Sequence, residues 1–307
     1  MNKPLSALLC ALALSPLAGQ AKSEYHTVAS FKEMQQWVAK AKDPAATLVV
    51  MDDDDTLTMM SCPNQDDLET CQYLGGPAWF SWQQDQLNAM AQPRVANSFN
   101  DLLTVSALLL ATNDMPYTDP AIPTVLGDLS GKGVRLLVET ARGDSNLSAT
   151  EHQFSALPAG KSQTLLGLVS GHSLTFNGLA SLAGPYQPCT SGTRPISYRQ
   201  GVMYLAGQNK GTVLKCMLDS YNGQAGAAPI KQVVFIDDTN QNVKDVEAAF
   251  EDSKDYAVVA LHYTRLEAHK AALTQGKMAA AYQKKATERW EALLQALKAQ
   301  QQNPALP

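Results

Sequence analysis

Leu48-Val49-Val50-Met51 is an apolar run of strand type, and it stops abruptly in Asp52-Asp53-Asp54-Asp55 before Thr56-Leu57. Four ionised carboxylates on successive residues repel one another, which raises their pKa values unless a cation lies among them. The simplest relief is a hard divalent cation with oxygen ligands, and Mg²⁺ suits one or two carboxylates plus a substrate phosphate. In extended chain Asp52 and Asp54 point to one side, and Asp53 and Asp55 to the other. A helix cap would account for one Asp here, but not for four directly after a buried-type strand.

Upstream, Ser30 with Glu33 three residues on reads as a capping box opening an amphipathic helix to about Lys42, which Asp43-Pro44 ends. Thr47 to Met51 is then the first core strand. Downstream, about 75 residues separate Leu57 from Gly133, far more than a simple crossover needs. This stretch holds Cys62 and Cys71, the segment Gly75-Gly76-Pro77-Ala78-Trp79-Phe80-Ser81-Trp82, and helical patterns through Leu87 and Met90 and from Phe99 to Leu110. It reads as an inserted cap over 58–133, whose Trp79, Phe80 and Trp82 either pack it onto the main domain or line a pocket mouth.

The second core strand is Val134 to Thr140, preceded by the Gly131-Lys132-Gly133 turn and followed by Ala141-Arg142-Gly143. A helix is expected near Leu147 to Leu157. Residues 158–200, rich in Gly, Ser and Pro, suggest short strands and loops, so 144–200 forms a second inserted segment. Gly201 to Leu205 is a short strand, and Asn209-Lys210-Gly211 starts a helix with Val213, Leu214, Met217 and Leu218 at helical spacing. Gln232 to Ile236 is the clearest buried strand, and it ends in Asp237-Asp238-Thr239-Asn240. A helix over Gln241 to Phe250, a strand over Tyr256 to His262 and a C-terminal amphipathic helix marked by Trp290, Leu293, Leu294 and Leu297 complete the chain.

Strands alternating with helices imply a parallel sheet covered on both faces, with ligands outside the carboxyl ends of the strands. Three strand ends carry, in order, the Asp cluster, Thr140 and the Asp237-Asp238 pair, and Lys210 opens a helix between the last two. Metal ligands, a hydroxyl donor and a cation are the parts of a phosphate-and-Mg²⁺ site.

The composition, 45% hydrophobic and 17% charged over 307 residues, is that of a globular chain of one large or two small domains. A net charge of −5 argues against nucleic acid as a partner. Residues 1–21 have secretory signal layout: Lys3, an apolar run from Leu5 to Leu17, and Ala18-Gly19-Gln20-Ala21 with cleavage expected after Ala21. No later stretch is long and apolar enough to span a membrane. Cys62, Cys71, Cys189 and Cys216 remain in the mature chain 22–307, and four cysteines permit three disulfide connectivities. Cys62 and Cys71 are close in sequence and are the preferred pair. Cys216 falls in an apolar helical pattern, where a buried thiol and a disulfide are both open.

The chain resembles the haloacid dehalogenase (HAD) superfamily of phosphohydrolases. The first motif of that superfamily, an apolar strand followed by Asp-x-Asp-x-Thr/Val-Leu/Val, matches Asp52 to Leu57, with Thr56 and Leu57 fixing the register. Thr140, Lys210 and Asp237-Asp238 match the second, third and fourth motifs in order. Asp53 departs from the pattern, since that position is more often apolar. With its leader, the chain looks like a group of secreted bacterial HAD-like proteins, and it is similar in location and first motif to the class B and C bacterial acid phosphatases. The resemblance implies an α/β, HAD-like (Rossmann-type) sheet with inserted cap elements, and a periplasmic or envelope-located phosphatase acting on a small phosphorylated substrate. It implies Asp52 as nucleophile and Asp54 as general acid and base. Thr140 and Lys210 would hold the phosphoryl group. Mg²⁺ would be held by Asp52, the Asp54 carbonyl and Asp237, with Asp238 nearby. Two other readings compete: a HAD-like envelope protein that binds metal or a partner without catalysis, and a phospho-acceptor switch of receiver type. Chain order and the export signal argue against the switch.

Overall fold

The computed structural model describes residues 23–61, 74–182, 184, 187 and 194–301. β1 (Ser23–Val28) and α1 (Phe31–Val38) come first. The Ser30 hydroxyl accepts from the Glu33 N–H at 3.3 Å, and the Glu33 carboxylate accepts from the Ala29 N–H at 3.0 Å, so the expected box forms. The helix stops at Val38 rather than near Lys42, because residues 39–42 offer no buried apolar side chain. β2 (Thr47–Met51) is buried along its whole length. Then follow α2 (Pro77–Asn88), α3 (Phe99–Thr112), α4 (Ile122–Gly131), β3 (Arg135–Thr140), α5 (Leu147–Ala156) and α6 (Leu165–His172). The rest of the chain forms β4 (Ser197–Arg199), β5 (Val202–Tyr204), α7 (Lys210–Asn222), β6 (Gln232–Asp237), α8 (Asn240–Phe250), β7 (Ala257–Tyr263), α9 (Glu267–Thr274) and α10 (Ala279–Gln301).

The strands form one seven-stranded sheet in the order β1-β7-β6-β2-β3-β5-β4. Every pairing is parallel except β4 with β5. This is the α/β architecture with a mostly parallel sheet that the sequence implies. Its two faces carry separate cores. Val49, Met51, Leu136 and Val138 face one way, against Phe31 of α1, Leu126 of α4, Phe154 of α5 and Leu168 of α6. Leu48, Val50, Leu137 and Phe235 face the other way, against Leu214 of α7 and Val246 of α8. Alternation along buried strands produces this division.

A third core lies apart. Trp79 of α2 and Leu102, Val105 and Leu109 of α3 pack with Leu273 of α9 and with Ala286 and Trp290 of α10. One helical layer thus joins part of the β2–β3 connection to the C-terminus. Trp79 is a core residue of this layer, which settles its role in favour of packing. α4, within the same connection, packs on the sheet instead.

Four elements differ from the expectation. β1 is an edge strand paired only with β7, and its mixed polar pattern carries no buried-strand signature. α4 and α6 were hidden by Pro123 and by Gly167 and Gly171, although Ile122, Val125, Leu126 and Leu129 have helical spacing. α9 is too short for a clear period. α6 also replaces part of the loop region expected over 158–200.

Two details set the later geometry. A Cβ at Gly211 would lie 2.2 Å from the Asp245 carbonyl oxygen, so only glycine lets the start of α7 close on α8. Cys216 on α7 is disulfide-bonded. Cys62, Cys71 and Cys189, and hence the preferred Cys62–Cys71 pairing, lie outside the described residues, as does the leader 1–21. Among the described residues no helix is long and apolar enough to cross a membrane.

Candidate active site

The chain leaves β2 for β3 on one side and returns to β6 on the other, so the carboxyl end of β2 is a topological switch point. Met51 is level with Val138 and with Ile236, which puts Asp52, Glu139 and Asp237 side by side at three strand ends. The Asp52 N–H donates to the Ile236 carbonyl at 3.0 Å and ties that end together.

Lys210 reaches this row from the first turn of α7, which Asn209 caps by accepting from the Thr212 N–H at 2.9 Å. Its Nζ donates to Asp52 Oδ1 at 2.5 Å, Asp237 Oδ2 at 2.6 Å and the Glu139 carbonyl at 2.9 Å. Burial alone would lower the lysine's pKa, but Asp237 and Asp52 outweigh it and hold the ammonium charged.

Asp237 Oδ1 also accepts from the Thr239 N–H at 2.8 Å and from Asn242 Nδ2 at 3.1 Å. Thr56 orients Asp238: its hydroxyl accepts from the Asp238 N–H at 3.0 Å and donates to Oδ1 at 3.4 Å. Lys270 of α9 donates to Asp238 Oδ2. One carboxylate oxygen from each of Asp52, Asp237 and Asp238 lies within 4.8 Å of the others. Three buried, hard, anionic donors converging at that spacing fit a small divalent cation such as Mg²⁺.

The remaining carboxylates turn elsewhere. The Asp53 carbonyl accepts from the N–H groups of Thr56, Leu57 and Thr58 at 3.2, 2.9 and 2.9 Å, a tight turn in which Asp55 adopts a φ of 63°. That left-handed conformation costs about 1 kcal/mol or more outside glycine. The turn breaks the side-to-side alternation expected of an extended Asp run. Asp53 and Asp54 both meet Arg142. Its Nε and Nη2 donate to Asp54 Oδ2 and Oδ1 at 2.8 and 2.7 Å, a bidentate pair. Its Nη1 donates to Thr150 at 2.8 Å and Gln153 at 2.9 Å, and lies 3.1 Å from Asp53 Oδ2 without hydrogen-bond alignment. Asp53 Oδ1 accepts from the Thr58 hydroxyl at 2.7 Å. A charged residue at that motif position is therefore accommodated by Arg142 and Thr58. The Thr140 hydroxyl accepts from the Arg142 N–H at 3.2 Å.

All the expected site residues thus lie at the carboxyl ends of the central strands β2, β3 and β6 and at the start of α7. Asp52, Lys210, Asp237 and Asp238 form one group. Asp54, with Thr140 behind it, forms a second around Arg142. Sequence reasoning assigned no role to Arg142, Lys270 or Glu139. One signal could have found the two cations: a single lysine cannot offset six clustered aspartates. Glu139 had none. Its two carboxyl oxygens are buried without hydrogen-bond partners, and burial, only partly offset by Lys210, raises its pKa well above the carboxylate range.

Burial pushes Asp52 from its ordinary 3.8 up to about 7, with Lys210 opposing and Asp237 adding. Burial does the same to Asp53, up to about 7, against the pull of Arg142. Raised folded-state pKa values mean that the native state keeps protons the unfolded chain has shed. The stability this gives is full below the unfolded value and is lost as pH rises through about 7. Metal-free protein is therefore expected to melt lower at about pH 8 than at about pH 5.5, and Mg²⁺ to raise the midpoint more at the higher pH. Thermal unfolding in a chelator-treated buffer, with and without MgCl₂, checks both statements.

The model of a family described as "Protein of unknown function (DUF2608)" matches residues 27–303. No curated protein matches the chain in sequence. Among solved structures, the chain is similar to the HAD domain of effector protein Lem4 from Legionella pneumophila, an inactive mutant. Identity is 14% and the TM-score 0.26, over 76% of this chain and 96% of that one. It is also similar to cytosolic 5'-nucleotidase IIIB bound to cytidine, with 14% identity and a TM-score of 0.31, over 85% of this chain and 91% of that one.

Proposed function

The chain belongs to the DUF2608 family, and we propose that it is an exported, Mg²⁺-dependent phosphomonoester hydrolase working through an aspartyl-phosphate. The observation that carries this reading is the meeting of Asp52, Lys210, Asp237 and Asp238 at adjacent strand ends, with three carboxylate oxygens within 4.8 Å.

In this reading Asp52 attacks phosphorus and the bond to the ester oxygen breaks, while Asp54 gives that oxygen its proton. Asp54, which enters the cycle protonated, then takes a proton from the water that attacks the phosphorylated Asp52, which releases phosphate and returns Asp52 as the carboxylate and Asp54 as the acid. Asp54 suits the exchange because its side chain is 22% exposed, against 8% for Asp52. Arg142 holds Asp54 in place by both oxygens. Lys210 and Thr140 would take the phosphoryl oxygens. Asp52, the Asp54 carbonyl and Asp237 would hold Mg²⁺, with Asp238 as a further ligand. The ion would supply positive charge between the carboxylates and an incoming phosphoryl dianion.

Export to the periplasm or envelope is supported by the layout of residues 1–21 and by the disulfide at Cys216, which suits an oxidising compartment. The acidic balance argues against nucleic acid as the substrate.

The test is release of para-nitrophenol from its phosphate ester by the mature chain, 22–307, with and without Mg²⁺. Turnover that requires Mg²⁺ is expected. Mg²⁺ binding with no turnover of this ester or of a panel of sugar, nucleoside and alkyl phosphates would overturn the enzymatic reading in favour of a binding protein.

A further inference from the structure

Two lysines pair with the three carboxylates of the metal group, and their surroundings differ. Lys210 has a side-chain exposure of 2% and three acceptors, one of them the fixed Glu139 carbonyl. It is built into the sheet end and has nowhere else to go. Lys270 has a side-chain exposure of 25%, and Asp238 is the hydrogen-bond acceptor of its ammonium. It comes from α9, which packs on α2 and α10 in the separate helical layer. A long flexible stem with a partly hydrated head can leave its partner at low cost.

We infer that Lys270 is a resident competitor for the metal: it occupies the Asp238 oxygen that a divalent cation needs, and it gives that oxygen up when the cation binds. This rests on the metal reading above. The reason for such an arrangement is electrostatic. Asp238 has a side-chain exposure of 5%, and a buried carboxylate without a partner is costly. Lys270 stands in until the ion arrives. When displaced it still feels Asp55, which sits 7% exposed on the turn after β2 and is the larger of the two further carboxylate influences on it, beside Asp52. The fourth Asp of the run thereby has a use that the phosphoryl chemistry does not give it.

The consequence is a metal affinity held below what the carboxylates alone would give. Calorimetric titration of MgCl₂ into metal-free mature protein reads it directly. Lys270→Met is expected to tighten Mg²⁺ binding by about tenfold or more, since the ion no longer has to displace a charge-assisted hydrogen bond from Asp238. Asp238→Asn is expected to weaken binding. In the Asp238→Asn background, Lys270→Met should change affinity by less than about twofold, because the contested oxygen is gone. Wild-type or weaker affinity in Lys270→Met overturns the inference. Equal tightening in both backgrounds also overturns it, since bulk charge would then explain the effect. Absence of Mg²⁺ binding in every variant overturns the metal reading itself and this inference with it. Lys270→Gln repeats the charge removal should the Met variant not fold.

Discussion

Asp52→Asn is expected to lose roughly 10⁴-fold or more in kcat on para-nitrophenyl phosphate, with little change in the unfolding midpoint. The amide cannot attack phosphorus, and no neighbouring group can replace it. Asp53 and Asp54 are held by Arg142, and Asp237 is held by Lys210, Thr239 and Asn242. Folding should survive because Asn keeps an oxygen in position to accept from Lys210. The change also removes a carboxylate that burial has already pushed up to about 7. A reaction carried by Mg²⁺ and Lys210 acting on water, with Asp52 only as a ligand, would leave measurable turnover. Single-turnover measurements with the purified variant, beside a thermal melt, separate the cases. Turnover within about tenfold of wild type would remove Asp52 as the nucleophile.

The sheet and its acidic edge were legible because buried parallel strands are written as nearly pure apolar runs. β2, β3 and β6 read that way, and each run ends where the polar chemistry begins. Lys210 was legible because Asn209 announces the helix start that carries it. The second layer of the site was not. Arg142 pairs with a carboxylate 88 positions away, and Lys270 with one 32 positions away. Neither pairing leaves a local pattern, since the first follows from β3 lying beside β2 and the second from where α9 packs. The four aspartates do not alternate from side to side, for a related reason. β2 ends at Met51, and the turn closed by the Asp53 carbonyl reorients everything after Asp52. β1 was missed because an edge strand need not be apolar.

Arg142→Met is expected to cost the most stability of any change at the site, about 3–5 kcal/mol. The guanidinium serves two carboxylates at once and spends its remaining donor on Thr150 and Gln153. Its removal strands Asp53, whose side chain is 0% exposed and keeps only the Thr58 hydroxyl. Asp54 loses both of its bonds but retains contact with water. At roughly 2–4 °C per kcal/mol for a chain of this size, the midpoint should fall by about 10 °C. The loss should be smaller at about pH 5.5 than at about pH 8. Without the cation that opposes burial, Asp53 holds its proton to still higher pH in the native state, so the penalty grows as pH rises. Lys at this position keeps the charge but cannot form the bidentate pair, so Arg142→Lys should fall between the two. If the cost comes from stranded charge rather than from lost packing, neutralising the partners must repair it. Arg142→Met combined with Asp53→Asn and Asp54→Asn is therefore expected to recover most of the midpoint while remaining inactive. A triple variant no more stable than Arg142→Met alone would show that Arg142 supports the fold through Thr150 and Gln153 instead, and that its grip on Asp54 is incidental to stability.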